Sequence, residues 1–171
     1  MITMENKKFI AAGIKWTVID KTEDGFFCIA DEVEKNMEFG LHNNNWKNSL
    51  IREWCIHLEK KIEREFGVEL PFFERNLLSL DGEDDYGTCK DKVSLLTLDE
   101  YRKYKKVIPK IKKWWWLITP DSTSSGWSDK WNSVVSPSGS INHYNYDSSN
   151  GVRPVCIFPS SIFESDEGCV I

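Results

Sequence analysis

The spacing of apolar residues changes several times along the chain. Two short β-rich runs, Lys15 to Ile19 and Phe26 to Ala30, flank Glu23-Asp24-Gly25. Asp-Gly supplies the positive φ values of a tight turn, so this stretch predicts a β-hairpin. From Ser49 the period lengthens: Leu50, Trp54, Leu58 and Ile62 recur every four residues, with Ile51, Cys55 and Phe66 beside them. That spacing predicts an amphipathic helix. Asn48 or Ser49 can cap its start, and Gly67 with Pro71 beyond it can end it.

After an irregular acidic stretch, "DKVSLLTLDEYRKYKKVIPK" reads as a short strand, Lys92 to Leu96, feeding a second helix. Thr97-Leu98-Asp99-Glu100 has the form of a capping box. The remainder alternates strand and turn. "WWWLIT", "WNSVV", "SINHYNY" and "VRPVCIF" are separated by turns expected at Ser136-Pro137-Ser138-Gly139 and at Asn150-Gly151. This order predicts an α+β fold, with two helices packed on an antiparallel sheet and long irregular loops. At 171 residues the chain suits a single domain spanning residues 1–171.

Charge and chemistry narrow the function classes. A net charge of -5 argues against nucleic acid as a partner, because phosphate binding leans on clustered Lys and Arg. The lysine-aromatic run from Tyr101 to Trp116 then reads as an exposed helix face and its exit loop. No segment reaches transmembrane length and the start lacks a signal-like apolar run, so the expected location is cytoplasmic or virion-associated, with no membrane partner. The five cysteines are odd in number, widely spaced and without a C-x-x-C, so they are expected to be reduced. Cys28, Cys55 and Cys156 fall on apolar faces and read as inert core thiols. His42, His57 and His143 share no ligand spacing, and the run Asp81 to Asp91 lacks the EF-hand pattern and reads as a solvated loop. Neither a metal nor a cofactor is expected.

Four segments occur in a telling order: "WKNSLIREW", "DKVSLLTLDEY", "WWWLITP" and "GVRPV". Together they resemble an uncharacterised bacterial and phage domain family whose signature joins a D-K-V-F-L-L-S-like strand, W-W-L-R-S-P and a closing G-V-R-P. The match runs from Trp16 to Phe158. The resemblance implies a C-type-lectin-like fold, similar to formylglycine-generating enzymes and to the variable proteins of diversity-generating retroelements. In those variable proteins the segment between the tryptophans and G-V-R-P carries diversified ligand-binding positions. By this likeness Pro120 to Asn150 is the display segment. Ile118-Thr119 stands where the pattern has Arg-Ser, whereas Arg153 is kept.

The residues of that segment favour the same reading. Ser, Asn, Asp, Gly, Tyr and Trp dominate it, and binding loops use this mixture because rigid rings give contact area at low entropy cost. Strand alternation pairs Val135 with Ile141 as inward residues, sends His143 and Asn145 inward with Ile141, and places Trp131 on the Val135 face as core. Asn142, Tyr144 and Tyr146 then face outward. With the loop residues, the expected ligand-binding set is Asp121, Ser124, Trp127, Asp129, Asn142, Tyr144, Tyr146 and Asp147. The triple tryptophan and Trp16 are expected in the core. Arg153 is expected to be structural, its donors matched to carbonyls or a carboxylate.

The expected partner is a protein surface, the oligomeric state is open, and no catalytic residue is assigned. Trp131-Asn132-Ser133 lacks the carboxylate of a calcium-dependent sugar site. Two other classes stay open: a structural component of a phage particle, and a formylglycine-generating-like enzyme with an exposed low-pKa thiol. Since no compact ligand set occurs, a chelator is expected to leave the thermal midpoint unchanged. A large fall on chelation would place a bound cation in the Asp81 to Asp91 loop.

Overall fold

Strands buried at every position need cover on both faces, and Gly25–Ala30, Trp115–Pro120 and Val155–Phe158 are such strands. The computed structural model, which describes residues 6–163, provides that cover on both sides. In chain order the elements are β1 (Lys8–Ala11), β2 (Ile14–Thr22), β3 (Gly25–Ala30), β4 (Lys35–Glu38), α1 (Leu50–Phe66), β5 (Phe73–Asn76), β6 (Thr88–Asp91) and β7 (Val93–Ser94). They continue with α2 (Leu98–Tyr104), β8 (Trp115–Pro120), β9 (Trp131–Val135), β10 (Ile141–Asn145), β11 (Ser149–Val152) and β12 (Val155–Phe158).

Two five-stranded sheets, ordered β1-β2-β3-β12-β7 and β10-β9-β8-β11-β4, accompany a β5-β6 pair. All strand pairs are antiparallel except the contact of β11 with β8, where Gly151 sits opposite Trp115. Among the described residues the fold is α+β, with two α-helices and mostly antiparallel sheets.

Alternation along the strands feeds two cores. The α1 core joins Ile51, Cys55, Leu58 and Ile62 of the helix to Trp16, Cys28, Trp116, Val134, Cys156 and Phe158. The α2 core joins Tyr101 to Phe27, Ile29, Trp115, Leu117, Val135, Val155 and Ile157. Neighbours such as Trp115 and Trp116 therefore serve opposite cores. The triple tryptophan is not wholly core, because Trp114 precedes β8 and is only half-buried against the α1 core.

The helix ends follow local chemistry. Ser49 Oγ accepts from Arg52 N–H at 3.0 Å, and Gly67 ends α1 in the left-handed region at φ 63°. The Thr97/Glu100 capping box is formed. Glu100 also pairs at 2.5 Å with Arg75, a buried side chain that donates to Leu95 O at 2.8 Å and so ties the start of α2 to the neighbouring chain.

The segments that carry the family resemblance meet as framework. Asp91 accepts from Trp46 Nε1 at 2.7 Å and from Arg52 Nε at 2.8 Å, joining "WKNSLIREW" to "DKVSLL". Arg153 donates to Ala30 O, Asp31 O and Pro109 O at 2.7, 3.0 and 2.6 Å, and its guanidinium lies 5.0 Å from the Trp115 ring centroid.

Several expectations change. β1, β4, β5 and β6 are short or largely polar and gain strand character from their pairing partners, which no local pattern marks. Asn150-Gly151 lies inside β11, and the turn before it falls at Tyr146 to Ser148. Gly151 is needed for close approach: a Cβ there would stand 2.6 Å from Val33 Cγ2 and 2.7 Å from the Trp114 carbonyl oxygen. Gly151→Ala is expected to cost about 1–3 kcal/mol through overpacking, read as a lower urea midpoint. An unchanged midpoint would show that β11 can move away from β8.

Candidate functional site

The segment Pro120 to Asn150, expected to be the display segment, begins at the end of β8 and ends in β11. Its last full strand, β10, lies at an edge of its sheet and is exposed along nearly all its length. Ile141 does sit opposite Val135, but it is 37% exposed, because the α2 core does not extend past β9 to cover it. His143 is also exposed, and it has a polar partner in Asp121, which bonds its Nδ1. Trp131 packs against the His143 ring in a tilted pair, 36° between planes and 4.9 Å between centroids, and is half-buried rather than core.

Tyr144 lies on the opposite face of β10, as alternation requires. It is 36% exposed and packs edge-on against Trp114, with centroids 5.2 Å apart. Tyr146 is half-buried against the α1 core, and its backbone accepts from Phe39 and Gly40. Asn142 and Asp147 are exposed.

In the loop between β8 and β9, Ser124 and Trp127 stand out in solvent, Trp127 at 60% exposure. Asp129 is half-buried. Asp121 is buried at 7% exposure, so it orients His143 from beneath the surface. Burial raises the Asp121 pKa, the His143 contact opposes that, and nearby Asp81 adds to the rise. Its Oδ1 has no hydrogen-bond partner among the described residues. The eight expected residues thus fall into an exposed group (Ser124, Trp127, Asn142, Tyr144, Asp147), two half-buried supports (Asp129, Tyr146) and one buried positioning residue (Asp121). Alternation along β10 puts His143 and Tyr144 on different faces.

What holds the Trp127 loop came from segments that the local pattern did not connect with it. The acidic stretch is docked against the loop and is not merely solvated. Leu80 N–H donates to Pro120 O and Asp81 N–H to Asp121 O. Ser122 Oγ donates to Asp81 at 2.6 Å while accepting Trp127 N–H at 3.1 Å, and Thr123 donates to Asp85. The bonds from Ser122 and Ser79 lower the Asp81 pKa.

Behind the loop lies Asn44, fully buried. Its amide donates to Ser122 O at 3.0 Å and Trp131 O at 2.8 Å, and its Oδ1 accepts from Tyr86 at 2.6 Å. Burial pushes Tyr86 up to about 12, which keeps its hydroxyl a donor. The middle Asn of "LHNNNW" carries no signal of this role, since only the folded chain brings residue 44 beside residues 122 and 131.

The chemical possibilities are restricted. Burial raises the pKa of Cys28, Cys55 and Cys156 well above an ordinary thiol, and Cys89 is pushed up to about 11 by burial and Asp91, so none of the four is an activated nucleophile. Cys169 lies outside the described residues. No hydroxyl or thiol hydrogen-bonds to His143 among the described residues. There, too, no group of three or more His, Cys, Asp or Glu could hold a metal, and no helix is long and apolar enough to cross a membrane.

No protein-family model, curated protein or solved structure matches this chain.

Asn44→Ala is expected to cost about 1–3 kcal/mol by leaving buried carbonyls and the Tyr86 hydroxyl unpaired. Hydrogen exchange should speed up in residues 122–131 before it does in α1. Uniform exchange across the chain would show that Asn44 is not the brace of this loop.

Proposed function

We propose that the protein is a recognition module of C-type-lectin-like fold that binds a protein surface through the segment Pro120 to Asn150. One observation carries this reading: Trp127 is largely exposed on a loop whose backbone is tied down on several sides. A large ring held in solvent by a braced loop suits an anchor, because little ordering entropy remains to be lost on binding. Ser124 beside it, and Asn142, Tyr144 and Asp147 on β10 and its following turn, complete the contact residues.

The braced frame with substitutable exposed positions is what a variable protein of a diversity-generating retroelement, of phage or bacterial origin, would require. Buried thiols of raised pKa weigh against the formylglycine-generating alternative, and no catalytic role is proposed. Neither nucleic acid nor membrane enters the reading.

The DNA beside the gene tests the retroelement part. A reverse-transcriptase gene and a near-copy of the segment encoding residues 120–150 are expected; tail genes without either would favour a particle component. The surface assignment has its own test. Trp127→Ala should change stability by no more than about 0.5 kcal/mol, and Tyr144→Ala by about 0.5–1.5 kcal/mol through loss of the Trp114 contact. Each should weaken binding of a protein ligand by ~2 kcal/mol. A fall of about 3 kcal/mol or more in folding stability for either variant, measured by denaturation, would strike that residue from the surface.

A further inference from the structure

On the α2 side of the molecule, away from Trp114 and Tyr144, a cavity of about 340 Å³ opens between the segment after α2 and the Ser136–Gly139 turn. Small-molecule sites begin at roughly this size and combine apolar walls with a few placed polar groups. Ile108, Ile111, Trp115, Val135 and Pro137 supply apolar wall here.

The polar groups are nearly all cationic or hydroxylic. Arg153, Lys105 and Lys110 line the cavity, and no carboxylate does. None of the three forms an ion pair among the described residues. In a chain of net charge -5 this is a local reversal of sign.

Arg153 is the most telling of them. The residue is only 1% exposed and its Nε and Nη2 take all the carbonyl partners, whereas Nη1 has no hydrogen-bond partner among the described residues and is not sealed from solvent, so it is the one part of the fork open beside the cavity that Arg153 lines. A buried guanidinium needs its donors matched. Asp31 lends Arg153 only its backbone carbonyl, because its carboxylate is engaged by Lys8 and Thr17, and neither it nor the neighbouring Glu32 forms an ion pair with the guanidinium. Burial lowers Arg153 to about 10, so it keeps its proton near neutral pH.

We propose that this cavity binds a small organic carboxylate with an apolar body, the carboxylate meeting Arg153 Nη1 and the ammonium groups of Lys105 and Lys110 at the rim. An inorganic anion would satisfy the charge but leave the apolar walls uncovered. A neutral apolar molecule would leave Nη1 unmatched. This site is independent of the recognition surface proposed above.

The probe is 3-phenylpropionate, titrated into the protein labelled with nitrogen-15 and followed by amide chemical shifts. Saturable shifts are expected at Tyr101, Ile111, Ser138 and Gly139. The neutral 3-phenylpropionamide and inorganic phosphate should each bind about tenfold more weakly or worse. Because Arg153 also holds the framework together, the charge is tested at the exposed rim: Lys105→Glu with Lys110→Glu should weaken binding about tenfold while the melting midpoint holds. Trp127→Ala should leave probe binding unchanged, which separates this site from the recognition surface. The proposal is overturned by an absence of saturable shifts at those four amides, by equal binding of the neutral amide, by phosphate binding as tightly as the probe, or by an unaltered affinity in the charge-reversed variant.

Discussion

The burial of Arg153 constrains much of the molecule. A guanidinium shut away from water is tolerated only where acceptors surround it, and three backbone carbonyls do so here, from the end of β3, from Asp31 and from Pro109. Each carbonyl belongs to a segment that must stay in place for the charge to remain satisfied. The same group lies over Trp115, which belongs to the other large sheet. One side chain therefore links both sheets and the segment leaving α2. The cationic cavity beside it follows from this arrangement, because the carbonyls occupy only part of the guanidinium fork.

A second set of polar contacts does for the Trp127 loop what Arg153 does for the sheets. Asn44, Ser122, Asp81 and Asp85 connect three segments far apart in sequence, and nearly all of their bonds end on the backbone or side chains of residues 120–131. Such a network removes conformational freedom from a loop that has few apolar contacts of its own. Trp127 can then stay exposed without the loop collapsing over it. Rigidity beneath and exposure above are complementary requirements of a preorganised surface.

The proposed division between frame and surface also explains where the resemblance lies. Trp46, Arg52 and Asp91 meet one another, and Trp115 meets Arg153. The segments that carry the resemblance thus contain packing and hydrogen-bonding partners. The residues proposed to touch a ligand lie between those segments, at positions where side chains can change without disturbing either core.

The amino-acid sequence by itself determined the features governed by local rules. The period and caps of α1, the capping box of α2, the β2-β3 hairpin, the burial of β8 and the exposure of Trp127 all follow from spacing, propensity and neighbouring composition. Strand alternation also sorted His143 from Tyr144. Only the tertiary structure decided which faces had cover. Ile141 has an apolar side chain suited to a core, but β10 is an edge strand and the α2 core stops at β9, while Trp131, at the start of β9, meets the ring of the exposed His143 and is only half-buried. Asn150-Gly151 has turn chemistry, but the approach of Val33 and Trp114 makes it a strand. Asp121 looked displayed and is buried, and the acidic stretch looked solvated and is docked. These outcomes depend on contacts between residues tens of positions apart, and a local pattern carries no information about which distant segment will arrive to cover a face or accept a proton.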